Sequence, residues 1–268
     1  YALSESVSIM SLFVEERRRI ILDQLRLYGR VSVKELSDAM EVSAVTIRQD
    51  LRVLEEELLL ERTYGGAVRR EANTGIPELS FHTRLSKKRP QKDAMAAAAA
   101  ALVKDGYSVA LDGSTTVYAL APLLKRYSKL TVITNSIIIA QQYLDTPSIT
   151  VLLPGGRMRR DSISIVGRPE GLPDINLNIG FFGARGVSLV GEVTDIDQDE
   201  VAIKQAMLER CVTPVILTDG SKWGQVAPYT FARFAQISRL ITKDDAPPEV
   251  VDEVRKAGPE VQIVRFKR

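Results

Sequence analysis

Cysteine, histidine and tryptophan each occur once in this chain of 268 residues, and aromatic side chains make up only 6% of it. A single cysteine, Cys211, cannot close an internal disulfide framework and fits a reducing cytoplasm. Its expected role is core packing near the end of a helix. The one histidine, His82, reads as structural, and no metal-ligand set or cofactor motif is found. Long hydrophobic runs are missing too: Ala94 to Ala101 is apolar but too short to span a membrane, and it lies between Lys92 and Lys104. The opening segment lacks the basic start and cleavage site of a secretory signal, so none is expected. Excess charge of one sign is also absent, with 36 Lys+Arg against 34 Asp+Glu, a net of +2. Glu55, Glu56 and Glu57 sit beside the arginines of the N-terminal third. A sequence-blind coat for nucleic acid is thereby disfavoured, and any attraction to DNA must be local.

What is present suggests two domains, since the chain is long enough for both and 45% of it is hydrophobic. From Glu15 to Leu27 the residues Ile20, Ile21, Leu22, Leu25 and Leu27 fall at helical spacing, and Gly29 follows as a helix stop. Val31, Val33, Leu36, Ala39 and Met40 form the next apolar set, which Ser32 can cap. Val42 packs the turn, and Ser43 is the expected N-cap of a third helix. In that helix Val45, Ile47, Leu51 and Leu54 are expected to point inward. Thr46, Gln49 and Arg52 point the other way, with Arg48 on the flank. Hydroxyl, amide and guanidinium groups at a helix N-terminus suit phosphates and base edges. The stretch from Leu58 to Arg69 then reads as strand, Gly65-Gly66 turn, strand. That is a wing, whose Arg62, Tyr64, Arg69 and Arg70 can lie along DNA. A solvated helical bundle is the bland alternative.

Residues 71–78 are polar with glycine and proline and read as a linker between residues 10–70 and 79–268. The C-terminal part alternates helices and strands. Helices are expected at Pro90 to Val103, Thr115 to Arg126, Ser136 to Leu144, Glu200 to Cys211 and Pro247 to Ala257. Strands are expected at Tyr107 to Leu111, Leu130 to Thr134, Ile149 to Leu153, around Phe181-Phe182, and at Val215 to Thr218, Ile237 to Ile241 and Val261 to Val264. Such alternation implies a mostly parallel, Rossmann-like α/β sheet with helices on both faces. Ligands bind such sheets beyond the carboxyl ends of the strands. There this chain carries Asp112-Gly113-Ser114-Thr115-Thr116, Thr134-Asn135-Ser136, Pro154-Gly155-Gly156-Arg157, Gly183 to Gly186, and Asp219 with Ser221 and Lys222. The first of these outlines a phosphate cradle opening a helix, or only an N-cap and a tight turn. Gly155-Gly156 reads equally as a turn. Asp219 with Lys222, and Glu200 with Lys204, read equally as ion pairs.

Both halves resemble one family. ERRRIIL, VSVKELSDAMEVSAVTIRQDL and LEEELLLERTYGGAV are similar to the winged helix-turn-helix of the DeoR family of bacterial transcription regulators. DGSTT, VITNS, LPGG, FFGARGV and LTDGSKWG, with the Glu200-to-Lys204 spacing and Met207, resemble that family's sensor domain, whose fold is similar to ribose-5-phosphate isomerase. The resemblance implies DNA contacts from Ser43, Thr46, Arg48, Gln49, Arg52, Arg62, Tyr64 and Arg69. It implies that Gly113, Ser114, Thr115 and Thr116 hold the phosphate of a phosphorylated sugar. Asp112, Asn135, Gly155, Gly156, Lys204 and Lys222 would then contact phosphate or hydroxyls, and Asp219 would shape the site. Three positions depart from the family: Leu58, where glycine is usual; Gln49, usually basic or small; and Asn178, often aspartate and expected near the pocket. The family typically begins near Met10, so the preceding residues are expected to be an upstream extension.

The resemblance implies a cytoplasmic homodimer or homotetramer that binds operator DNA and is released by a phosphorylated sugar. No metal or cofactor is expected. The alternative is a phosphosugar isomerase with an accessory DNA-binding domain, with Glu200, Asp199 or Asp112 as base and Lys204 polarising a carbonyl. An architectural DNA protein is disfavoured by the ligand-like loops and the weak net charge.

Overall fold

The computed structural model describes residues 6–56, 59–63, 65–68 and 81–265. The chain divides into two compact units, Tyr1–Thr83 and Arg84–Arg268. The expected linker, 71–78, lies outside the described residues.

The first unit contains α1 (Ser6–Tyr28), β1 (Arg30–Ser32), α2 (Val33–Met40), α3 (Ala44–Glu56), β2 (Glu61–Thr63) and β3 (Gly66–Val68). Gly29 ends α1 with φ 73°, and its N–H donates to the carbonyl of Leu25, the left-handed stop that glycine adopts without steric cost. Ile47, Leu51 and Leu54 share one face of α3 and close a core with Ile21, Leu25, Val31, Leu36, Leu60 and Ala67. Val45 is not part of it. It is 71% exposed, because the stripe set by Ile47, Leu51 and Leu54 extends back through Ala44, one position earlier on the helix. Ser43 caps α3 as expected, accepting from the N–H of Thr46 at 3.1 Å. Ser32 precedes α2 in extended conformation but makes no side-chain cap bond. The wing has a third strand that the sequence reading lacked: β1 pairs antiparallel with β3, giving the order β1-β3-β2. Gly66 makes that pairing possible, since a Cβ there would lie 1.9 Å from the carbonyl oxygen of Val31.

The second unit follows α4 (Phe81–Ser86), which crosses the division between units. It continues with α5 (Arg89–Ala100), β4 (Ser108–Leu111), α6 (Thr115–Tyr118), α7 (Ala121–Leu124), β5 (Leu130–Thr134), α8 (Ile137–Gln141), β6 (Ile149–Leu152), β7 (Arg157–Arg159) and β8 (Ser164–Val166). Next come β9 (Leu177–Gly183), β10 (Gly186–Val187), β11 (Glu192–Asp195), α9 (Gln198–Glu209), β12 (Cys211–Leu217), β13 (Tyr229–Arg233), β14 (Arg239–Lys243), α10 (Pro248–Lys256) and β15 (Glu260–Val264). Seven strands form one parallel sheet in the order β15-β14-β12-β9-β4-β5-β6. Side chains alternate between two cores, one on each face. Val109, Leu111, Phe181, Val215 and Leu217 pack with α5 to α8, while Ala110, Phe182 and Ile216 pack with α9 and α10.

Three features differ from the sequence reading. The helix expected over Thr115 to Arg126 is two short ones, with Pro122 in the first turn of the second. Cys211 opens β12 rather than ending a helix; its thiol donates to the carbonyl of Met207, and burial pushes its pKa up to about 12. The short strands β7–β8 and β10-β11-β13 form two further small sheets. Strands this brief carry too few alternations to register as a period. Among the described residues no helix is long and apolar enough to cross a membrane.

Candidate DNA-reading face and effector site

In the first unit α3 presents Arg48, Gln49 and Arg52 as exposed side chains, with exposed Ser43 and half-buried Thr46 at its N-terminal end. The opposite face carries Asp50, 1% exposed. Its carboxylate accepts from Arg17 and, at 3.0 Å, from Arg18 Nε. This ties α3 to α1 beneath the exposed residues. An acid on the apolar stripe of Ile47, Leu51 and Leu54 was the available signal for that latch, and the sequence reading did not take it up. Arg62, expected along the DNA backbone, is held by Glu55: its Nε lies 2.5 Å from Oε2, and its backbone N–H donates to Oε1 at 3.0 Å. Those bonds hold the exposed Glu55 carboxyl below its ordinary pKa. Tyr64, Arg69, Arg70 and Leu58 lie outside the described residues.

In the second unit the strand order places β4 beside β9, and successive strands run outward from that pair in opposite directions. This is the switch point at which open parallel sheets form a crevice. Asp112 leaves β4 fully buried. Its Oδ1 accepts from Ser114 N–H at 3.0 Å, and its Oδ2 accepts from Gly183 N–H at 2.9 Å and lies 2.8 Å from Lys204 Nζ. Lys204, 3% exposed on α9, also donates to Asp195 and to the Gly183 carbonyl. Burial alone would lower its pKa; the charges of Asp112 and Asp195 reverse that and raise it. Asp195 is likewise held low by Lys204 and Arg185 despite its burial. Gly183 is obligatory, because a Cβ there would lie 2.4 Å from Ser114 Oγ.

Glu200 and Lys204 therefore do not pair along their helix. Glu200 accepts from Ser164 Oγ at 2.6 Å and faces Arg159 Nη1 at 3.4 Å, while Arg159 Nε lies 3.2 Å from Asp197. Ser162, 2.7 Å from Ser164, completes this network on the β7–β8 hairpin. Asn135 stands next to it. Its side chain is 1% exposed, its Oδ1 has no partner, and it lies 3.6 Å from where a Cβ would stand on Gly113. Ser114 caps α6 by accepting from Val117 N–H, and Thr115 and Thr116 open that helix. Gly156, at φ 149°, is required by the hairpin, since a Cβ would meet Val166 O at 2.3 Å. Gly155 is exposed, with open space where a Cβ would stand.

Asp219 follows β12 and accepts from Lys88 Nζ at 2.6 Å and from Ser221. Those hydrogen bonds lower its pKa against the effect of burial. The counter-charge bonded to Asp219 is thus Lys88. Asn178 lies at the amino end of β9, where its Oδ1 accepts from Ser108 N–H at 2.8 Å. It is at the opposite edge of the sheet from these loops, so the expected effect of this position on the pocket does not hold. The sequence reading also missed Ser162, Ser164 and Arg159, which reach the site only because a two-strand hairpin folds back over it.

An exposed reading helix with a wing, joined in one chain to a parallel α/β unit with polar strand ends, defines a DNA-binding regulator with a sensor domain. Residues 17–73 match the DeoR-like helix-turn-helix domain and residues 87–244 the DeoR C terminal sensor domain. The chain belongs to the DeoR family of transcriptional regulators. It is 31% identical to the HTH-type transcriptional regulator GolR of Listeria innocua over 94% of this chain and 99% of that one. It is 33% identical to the HTH-type transcriptional repressor GlcR of Bacillus subtilis, over 86% and 89%. It is 28% identical to the glycerol-3-phosphate regulon repressor of Escherichia coli, over 88% and 92%. Among solved structures, ribose 5-phosphate isomerase A of Methanocaldococcus jannaschii covers 52% of this chain and 55% of its own, at 18% identity and TM-score 0.39, a likeness too slight to bear on function.

Proposed function

We propose that the chain is a cytoplasmic repressor of a catabolic operon, released from its operator when a phosphorylated sugar occupies the strand-end crevice of the second unit. The observation that carries this reading is the unpartnered Oδ1 of Asn135, buried beside Gly113. A buried acceptor left without a donor is unfavourable by about 1–3 kcal/mol, and a ligand hydroxyl is the donor such a site awaits. The names of the relatives support the repressor sense, and that of the glycerol-3-phosphate regulon repressor supports a phosphorylated effector.

On the DNA side, Arg48, Gln49 and Arg52 read base edges while Ser43 and Thr46 contact phosphate. Tyr64 and Arg69 of the wing extend that footprint. Arg62 joins them by exchanging Glu55 for a phosphate. A homodimer or homotetramer presents two reading helices to paired half-sites. In the sensor unit, Gly113 to Thr116, Asn135, Gly155 and Gly156 line the effector. Asp112 and Lys204 act as the brace that holds the loops of β4 and β9 together. Catalysis is the weaker reading. Asp112 is committed to three donors, Glu200 to Ser164 and Arg159, and Asp199 to Arg157, so each candidate base already has a partner.

The test is a fluorescence-polarisation titration against DNA from the chain's own promoter region, at fixed salt because phosphate contacts are salt-dependent, with a panel of sugar phosphates. A coupling of about 1–3 kcal/mol, roughly 5- to 150-fold in operator affinity, is expected from one of them. Tight operator binding unmoved by any sugar phosphate overturns the effector assignment. Turnover of ribose 5-phosphate with no operator binding overturns the repressor reading.

A further inference from the structure

Three acids in succession, Glu55, Glu56 and Glu57, fall where α3 ends. Their sign is unfavourable on two counts. A carboxylate in the last turn meets the negative end of the helix dipole, and one on a DNA-reading helix repels phosphate. The last turn of α3 carries no basic residue. The charge of Glu55 is offset across the fold instead, by Arg62 of the wing.

Glu55 makes two bonds of different kinds to that residue. Its Oε1 accepts from the backbone N–H of Arg62 at 3.0 Å, and its Oε2 lies 2.5 Å from Arg62 Nε. β2 is the outer strand of the order β1-β3-β2, and the backbone bond fixes that strand to the end of α3. The side-chain bond is an ion pair between groups 36% and 42% exposed. Such a pair contributes little in water and is open to exchange. A DNA phosphate offers the guanidinium the same kind of charged acceptor as the carboxylate does.

We propose that Glu55 is a built-in competitor for DNA phosphate, which holds the Arg62 guanidinium and so limits how tightly the chain binds its operator. The inference rests on the reading of Arg62 as a phosphate contact of the wing. Each time the wing engages, Arg62 leaves Glu55, and the cost of that separation is subtracted from the operator complex. Each time the contact loosens, Glu55 recaptures the guanidinium and hastens dissociation. The backbone bond keeps β2 in place through both steps. A complex that an effector undoes through a coupling of roughly 5- to 150-fold is one that such a brake suits.

Glu55→Gln keeps an oxygen for the Arg62 N–H and removes the charge. Binding of the full-length protein to operator DNA is followed by fluorescence polarisation at fixed salt, in the wild-type and Arg62→Met backgrounds. Arg62→Met alone is expected to weaken operator binding by roughly 10-fold. Glu55→Gln alone is expected to tighten it by about 2- to 5-fold, the scale of an exposed ion pair, through slower dissociation. In the Arg62→Met background the same change is expected to have no effect beyond about 1.5-fold, since nothing is left to compete for. Denaturant melts establish that each variant is folded, and Glu55→Ala stands in should Glu55→Gln not be. Equal tightening in both backgrounds, or a gain carried by faster association alone, marks simple removal of a repelling charge and overturns the competitor role. Unchanged or weaker binding by Glu55→Gln makes the pair structural and overturns it too. If Arg62→Met binds operator as wild type does while Arg48→Ala is weakened, the competitor role fails and the reading of α3 stands. Loss of specific operator binding by wild type itself is the separate failure of the repressor reading.

Discussion

Lys204 and Lys92 are both buried in the same α/β unit, yet their charges are treated in opposite ways. Lys204 meets two carboxylates and a carbonyl, and those charges hold its ammonium protonated well above the usual range. Lys92 meets a single backbone carbonyl and the like charge of Arg84, and its pKa falls to about 8. A buried charge with its partners inside the chain belongs to the architecture. One bonded only to a carbonyl, with Asp219 and Asp93 acting on it at longer range, carries the cost of its burial as a lowered pKa. The first unit repeats the contrast, with Asp50 closed against Arg17 and Arg18 while Arg48 is turned to solvent on the same helix.

The comparison can be broken first at its closed end. Lys204→Met strands Asp112 without its cation and leaves Asp195 with Arg185 alone, and a loss of about 3–5 kcal/mol in unfolding free energy is expected by denaturant titration. A loss below about 1 kcal/mol would mean the triad is not an architectural brace. At the open end of the first unit, Arg48→Ala is expected to weaken operator binding by about 1–3 kcal/mol and leave the melting temperature unchanged. An equal loss of stability would place Arg48 with Asp50 among the structural charges.

Lys92 gives a smaller and pH-dependent effect. Its folded pKa, about 8, lies below the unfolded lysine value of about 10.4. Between those values the unfolded chain holds more protons, so this group makes the protein more stable as pH rises. Below about 8 both states are protonated and the unfavourable burial is felt in full. The stability of Lys92→Met relative to wild type is therefore expected to be greatest near pH 7 and to shrink toward pH 10. A constant difference would remove Lys92 from the comparison. Smallest of all, Val45→Ala on the exposed side of α3 is expected to change stability by no more than about 0.5 kcal/mol, where Ile47→Ala loses about 2–5 kcal/mol.

Much of this was readable beforehand because periodicity and turn chemistry are local. The recognition helix with its Ser43 cap, the wing and most strands of the parallel sheet follow from spacings within a dozen residues. Val45 was misassigned because a β-branched residue next to an apolar stripe looks like part of it until the phase of the helix is known. The partners of Lys204 were not readable. Its intrahelical neighbour Glu200 was the local choice, but tertiary packing supplied Asp112 and Asp195 from two other strands. The β7–β8 hairpin that brings Ser162, Ser164 and Arg159 over the crevice is likewise a long-range return, as is the bond of Lys88, just before α5, to Asp219 beyond β12.

The contact of Gly66 with the carbonyl of Val31 has a mechanical meaning. Because β1 is the third strand of the wing and leads directly into α2, the described strands of the wing are stitched to the segment that carries the helix-turn-helix. Helix and wing thus form a gauge of fixed span. For an operator that shifts the distance between the major-groove bases and the flank met by the wing, little compensating bending of the protein is expected. The DNA must deform instead, so the stiffness of base steps the protein never touches becomes part of what it reads.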